Sequence, residues 1–172
     1  WKMILLMSII ILSQMFLAYL IIIYFQFSEY LVPVTVGALT LTILFDARIG
    51  FMLTVAVSIL VGLMMGQNID FVISSLFIST VGVYNIRELR KRSQLFSTMF
   101  ALITASIIVI IAIGLFKEQS WVKIFFDLQL LILNSFLAPI LTYGIIGITE
   151  MVFEITTDLT LIELLDYDRP LL

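Results

Sequence analysis

Charged residues divide the chain into six long apolar runs. Met3–Ser28 contains 26 residues without a charge, followed by Tyr30–Phe45 with 16, Ile49–Ile69 with 21, Phe71–Ile86 with 16, Ser93–Phe116 with 24 and Leu128–Thr149 with 22. The runs are continuous rather than alternating, which disfavours membrane β-strands. A helix crosses the hydrocarbon core of a bilayer with about 20 residues, in a range of roughly 17–25. Four runs meet that length, and Tyr, Asn and Arg side chains flanking the two 16-residue runs extend them by snorkelling. The pattern predicts an all-α, polytopic membrane bundle over residues 1–153. Its six transmembrane helices are placed at 3–27, 30–45, 49–66, 71–86, 95–116 and 128–153, with a linker at 154–172.

Three local features modify this outline. Trp121-Val122-Lys123-Ile124-Phe125-Phe126-Asp127 reads as a short interfacial helix before the last span. Asn134 and Pro139 fall inside that span; proline lacks a backbone donor, which predicts a bend near Ser135–Pro139. Gly62 and Gly66 form a GxxxG, and Ala101 and Ala105 a similar small pair, both compatible with close helix packing.

Composition supports a lipid solvent. Hydrophobic residues make up 62% of the 172 and charged residues 12%, against roughly 45–50% and about 25% in soluble domains. The mean hydropathy is +1.21. With no cysteine and no histidine, disulfides, thiolate metal sites and the commonest general base are all absent. The net charge of −3 gives no reason to expect a nucleic-acid partner. No catalytic, cofactor-binding or metal-binding residue is assigned. The chain opens on Trp1 without an initiator methionine and stops inside a patterned stretch, so it reads as a segment of a longer protein.

Positive charge sets the expected orientation. With the N-terminus cytoplasmic, Lys2, Arg48, Arg87, Arg90, Lys91, Arg92 and Arg169 lie inside, and only Lys117 and Lys123 outside. The opposite threading reverses that bias and contradicts the positive-inside rule. Both ends are therefore expected in the cytoplasm.

Several polar residues are candidates for function. Asp46 and Arg48 flank a tight turn, as a polar latch or simply as a helix cap and a topology charge. The basic stretch containing Arg87 and Arg90 either binds anionic headgroups or an acidic surface, or only sets topology. Glu150 and Glu154 share a helix face and lie where the helix dipole disfavours anions. This makes Arg87 and Arg90 their expected counter-charges, with solvated carboxylates as the alternative. Thr156, Thr157 and Asp158 suit the cap of a following helix. Asn134 is the best candidate for a polar contact within the bundle. Gln14, Thr35, Thr40, Thr42, Ser58, Ser74 and Ser75 either line a small cavity or bond back to their own helices.

Three stretches together carry a resemblance. They are Leu31-Val32-Pro33 with Leu41–Arg48, Val81-Gly82-Val83-Tyr84-Asn85-Ile86-Arg87 running into Arg90-Lys91-Arg92-Ser93, and Ile155–Leu165 with Pro170-Leu171-Leu172. In order and spacing they resemble the bacterial seven-transmembrane HD-domain proteins, membrane-bound cyclic-di-AMP phosphodiesterases. The resemblance implies that this chain holds the last six of seven membrane helices in the bacterial inner membrane. It also implies covalently linked extracytoplasmic and HD domains, with divalent metal ions held in the HD domain beyond Leu172. The bundle would anchor the hydrolase and relay a signal to it, and homo-oligomer formation stays an option. Two other functions fit the composition: a substrate-binding subunit of a vitamin-uptake transporter, and a structural membrane scaffold.

Overall fold

The computed structural model describes residues 2–87 and 93–153. Helix α1 (Lys2–Tyr19) widens into a π-helical turn at Leu20–Tyr24, and a 3-10 turn at Glu29–Leu31 leads to α2 (Val34–Leu44). Helices α3 (Ala47–Met64), α4 (Ile69–Ile86), α5 (Ser93–Phe116) and α6 (Trp121–Phe153) follow. No strand occurs among the described residues. The protein is an all-helical, multi-pass membrane bundle. Five segments are long and apolar enough to cross a bilayer, and the sixth, Glu29–Leu44, is a shorter apolar one.

Pro33 explains the short segment. It has no N–H to donate and disfavours helical geometry at the preceding residue, and Val32 is extended, with φ −67° and ψ 118°. The run expected as one helix over 30–45 therefore splits into a 3-10 turn and an 11-residue α-helix. At 1.5 Å per residue α2 is about 17 Å long, well short of a hydrocarbon core of about 30 Å.

The short helix is the centre of the bundle. Every residue from Val34 to Thr42 is buried, and α2 packs against α1, α3, α4 and α6. One side of the core joins α1, α2 and α3 through Leu6, Ile10, Val34, Leu53, Val57 and Val61. The other joins α2 to α4, α5 and α6 through Val36, Leu39, Ile78, Leu102, Val109 and Leu131. The surrounding helices turn large apolar side chains such as Leu12, Phe16, Met52, Phe96 and Phe100 outward, as a lipid solvent requires.

Because lipid tails are as apolar as leucine, helices associate through close packing and polar contacts rather than hydrophobic exclusion. Gly50 of α3 shows how close that packing is: a Cβ there would stand 2.7 Å from the Ala38 carbonyl oxygen of α2. The two glycines of the GxxxG serve different purposes. Gly62 lies against Val72 of α4, whereas Gly66 forms the α3–α4 turn at φ +71°, with nothing beside it.

The last helix requires a correction. Residues 121–127 are the first two turns of α6, not a separate interfacial helix, and α6 runs unbroken for 33 residues through Pro139. No glycine or proline lies between Trp121 and Ala138, so nothing separates residues 121–127 from the rest of the helix.

Candidate functional site

Several polar groups inside the bundle lie around the broken entry to α2. A chain that is not helical where it enters an apolar bundle leaves backbone groups without partners, which is tolerated only where the surrounding protein or water satisfies them. Asn134 of α6 does so here, its Nδ2 donating to the Tyr30 carbonyl at 3.0 Å and to the Val32 carbonyl at 3.1 Å. Val32 O also accepts from Val34 N at 2.9 Å, and Pro33 O accepts from Val36 N at 3.0 Å. The first turn of α2 is held by these bonds.

Hydroxyl pairs extend the network. Thr35 of α2 meets Ser79 of α4 at 2.9 Å, and Ser106 of α5 meets Ser135 of α6 at 2.6 Å. Thr142 of α6 donates to its own helix at Ala138 O, 2.8 Å, and lies 3.5 Å from Val36 O of α2. Thr98 of α5 donates to Asn85 Oδ1 of α4 at 3.1 Å. Thr40, Thr42 and Thr54 bond back to carbonyls one turn earlier. Of the buried polar atoms, Gln14 Oε1, Ser58 Oγ and Ser74 Oγ have no partner among the described residues.

Between α2, α4 and α6 lies a small cavity of about 20 Å³, lined by Tyr30, Thr35, Ser74, Ser75, Asn134 and Ser135 together with apolar side chains. Pro139 supplies no N–H to the Ser135 carbonyl, so this wall of the cavity also belongs to the stretch of α6 where the helical ladder is incomplete.

A second polar group ties together the connections at one end of the bundle. Asn68 caps α4 by accepting from Phe71 N at 3.2 Å, while its Nδ2 donates to Glu29 Oε1 at 3.1 Å. Lys117 Nζ stands 2.7 Å from Asp70 Oδ2, bridging the α5–α6 connection and the first turn of α4. All three connections at this end contain a non-glycine residue with positive φ: Gln26 at 52°, Gln67 at 68° and Glu118 at 50°. The left-handed region costs such residues roughly 1–2 kcal/mol each, so these turns are held by the contacts around them. Asp127, in the second turn of α6, is buried with 8% exposure.

At the opposite end, Asp46 occupies the N-cap position of α3 without a side-chain cap bond, although its carbonyl accepts from Ile49 N and Gly50 N at 3.1 Å. Arg48 Nε is 3.9 Å from Asp46 Oδ2, and the side chains are 92% and 58% exposed. This pair faces away from the bundle interior. Arg87 ends α4 with its guanidinium 4.3 Å over the Tyr84 ring. Glu150 lies within α6, but its side chain, like Arg90, Glu154 and Asp158, falls outside the described residues. The structure thus brings Asn134 into the central network and leaves Asp46, Arg48 and Arg87 at the periphery.

Sequence reasoning did not single out Ser79, Ser106, Ser135 or Thr142, because a hydroxyl in an apolar run carries no sign of which helix it faces. It also missed Asn68, although an Asn followed by Ile69-Asp70 is an N-cap signal. Among the described residues, no group of three or more His, Cys, Asp or Glu is placed to hold a metal ion.

A family model described as 7TM receptor with intracellular HD hydrolase matches residues 2–157. No curated relative and no solved structure matches the chain.

Proposed function

The chain belongs to the family of 7TM receptors with intracellular HD hydrolase, and from that premise we propose that it anchors an HD phosphodiesterase and passes a signal to it. The family match, which spans every helix of the bundle, is the observation that carries this reading. The fold is consistent with it: this is the receptor part, built of apolar helices, and hydrolytic chemistry belongs to a domain beyond it. We further propose that the hydrolase acts on cyclic-di-AMP with divalent metal ions. The positive-inside bias favours placing both chain ends, together with the Asp46 turn, in the cytoplasm of a bacterial inner membrane.

The relay is proposed to run from the tied connections at the Glu29–Asn68 end, through α2 and α6, to Glu150, Glu154 and Asp158. Arg87 and Arg90 would hold the end of α6 in register with the bundle. Helix α6 suits this role because it forms one wall of the central network and runs as one helix to Phe153.

The test is the parent protein in native membranes, with the chain continued beyond Leu172. Metal-dependent cyclic-di-AMP hydrolysis that changes when Asn134 is replaced is the expected result. A parent without hydrolase activity would sink the first part of the reading. A hydrolase indifferent to every substitution in the bundle would leave an anchor and remove the relay.

A further inference from the structure

Most of the polar side chains lining the cavity between α2, α4 and α6 have their partners. Thr35 is paired with Ser79, Ser75 donates to Val72 O at 3.2 Å, Ser135 is paired with Ser106, and the Asn134 amide gives both its bonds to backbone. Ser74 is the exception. It is 1% exposed, it lines the cavity, and its Oγ has no partner among the described residues. Tyr30 and Ser74 line the cavity together, and no hydrogen bond of standard geometry joins them.

A buried hydroxyl without a partner is costly, and native structures commonly satisfy such groups with an ordered water. Two conditions make that plausible: a polar lining with several partners, and roughly 10–15 Å³ of free volume. The cavity has about 20 Å³, enough for one water and too little for a metabolite. Its lining polar side chains, Tyr, Thr, Ser and Asn, are all neutral, so nothing in the wall selects an ion.

We propose that this cavity is a binding site for a single bridging water, which joins the Ser74 hydroxyl to the Tyr30 phenol. The water links α4 to the irregular entry of α2, complementing the bonds from Asn134. It completes the polar satisfaction of the chain break before α2. This inference holds whatever signal the bundle relays.

A lipidic-mesophase crystal structure of the full chain, at a resolution that orders waters, tests it directly. The expected result is one water within hydrogen-bond distance of Ser74 Oγ and Tyr30 Oη. A direct Ser74–Tyr30 bond overturns the proposal, as does a dry cavity with the Ser74 hydroxyl turned onto the Asp70 carbonyl one turn back. Thermal unfolding in nanodiscs gives a second readout. Ser74→Ala and Tyr30→Phe are each expected to lower Tm by about 2–4 °C, with a double variant less destabilised than their sum. Ser74→Val separates wet from dry: it fills a dry void and raises Tm, but displaces a bridging water and lowers it. Should that variant fail to fold, the wild-type crystal structure decides alone.

Discussion

The Asn134 side chain bonds to the backbone carbonyl of Tyr30 across 104 residues of sequence. One amide of the last helix thereby closes the break that Pro33 opens before α2. The same amide reaches Val32 O, which also accepts from Val34 N.

Replacing Asn134 with Leu removes both bonds and strands the Tyr30 carbonyl in an apolar interior, while Val32 O keeps its bond from Val34 N. An unsatisfied buried group costs about 1–3 kcal/mol. The variant should unfold at a lower temperature than wild type in nanodiscs, with Asn134→Gln intermediate. Equal melting of Asn134→Leu and wild type would show that water or another group takes over.

The Ser106–Ser135 pair joins α5 to α6 at 2.6 Å. Polar pairs between membrane helices average about 0.6 kcal/mol in double-mutant cycles. The Ser106→Ala and Ser135→Ala cycle should return a coupling of that order. Strict additivity would show that each hydroxyl is served by its own helix, as Ser106 is in part through Leu102 O.

Asp70 and Lys117 form a partly exposed bridge, with side chains 20% and 48% exposed. Exposed ion pairs contribute about 0–1 kcal/mol and weaken with salt. Lys117→Met should cost little stability, and that cost should shrink as salt rises. A large, salt-independent loss would assign Lys117 a packing role instead.

Gly62 leaves no room for a side chain because Val72 already occupies the space. Gly62→Val should destabilise by about 1–3 kcal/mol through overpacking, with partial recovery when Val72→Ala is added. Gly66→Ala tests a different cost: the site is spacious, but φ is +71°, so a loss of roughly 1–2 kcal/mol from backbone strain is expected and no packing change relieves it.

Reversing Glu150 to Lys should lower hydrolase output of the parent protein, and reversing Arg87 to Glu in the same protein should restore part of it. Assays in membranes with matched expression measure this. If the double reversal is no better than either single one, the proposed contact between these ends does not exist.

The bilayer makes much of this molecule legible from its residues alone. A span must bury its backbone bonds internally and stay apolar for its whole length, so the charges at Glu29, Asp46, Asp70, Arg87 and Lys117 were enough to separate the six segments. Pro33 in the second segment already carried the reason for its shortness. Asn134 stood out because an amide in a 22-residue apolar run needs a partner.

Tertiary structure decided the rest. These helices are apolar on nearly every face, so no stripe marks which side of α4 or α5 looks inward. Whether Ser79, Ser106 and Ser74 meet a partner, a carbonyl of their own helix or a cavity depends on the rotation and height of neighbouring helices. That register comes from close contacts such as Gly50 against Ala38 and Gly62 against Val72, which exist only once distant parts of the chain have packed. The sequence by itself therefore determined how many apolar segments there are; packing determined that the shortest of them lies at the centre, because only a helix enclosed by others can have its broken end satisfied by protein rather than exposed to lipid.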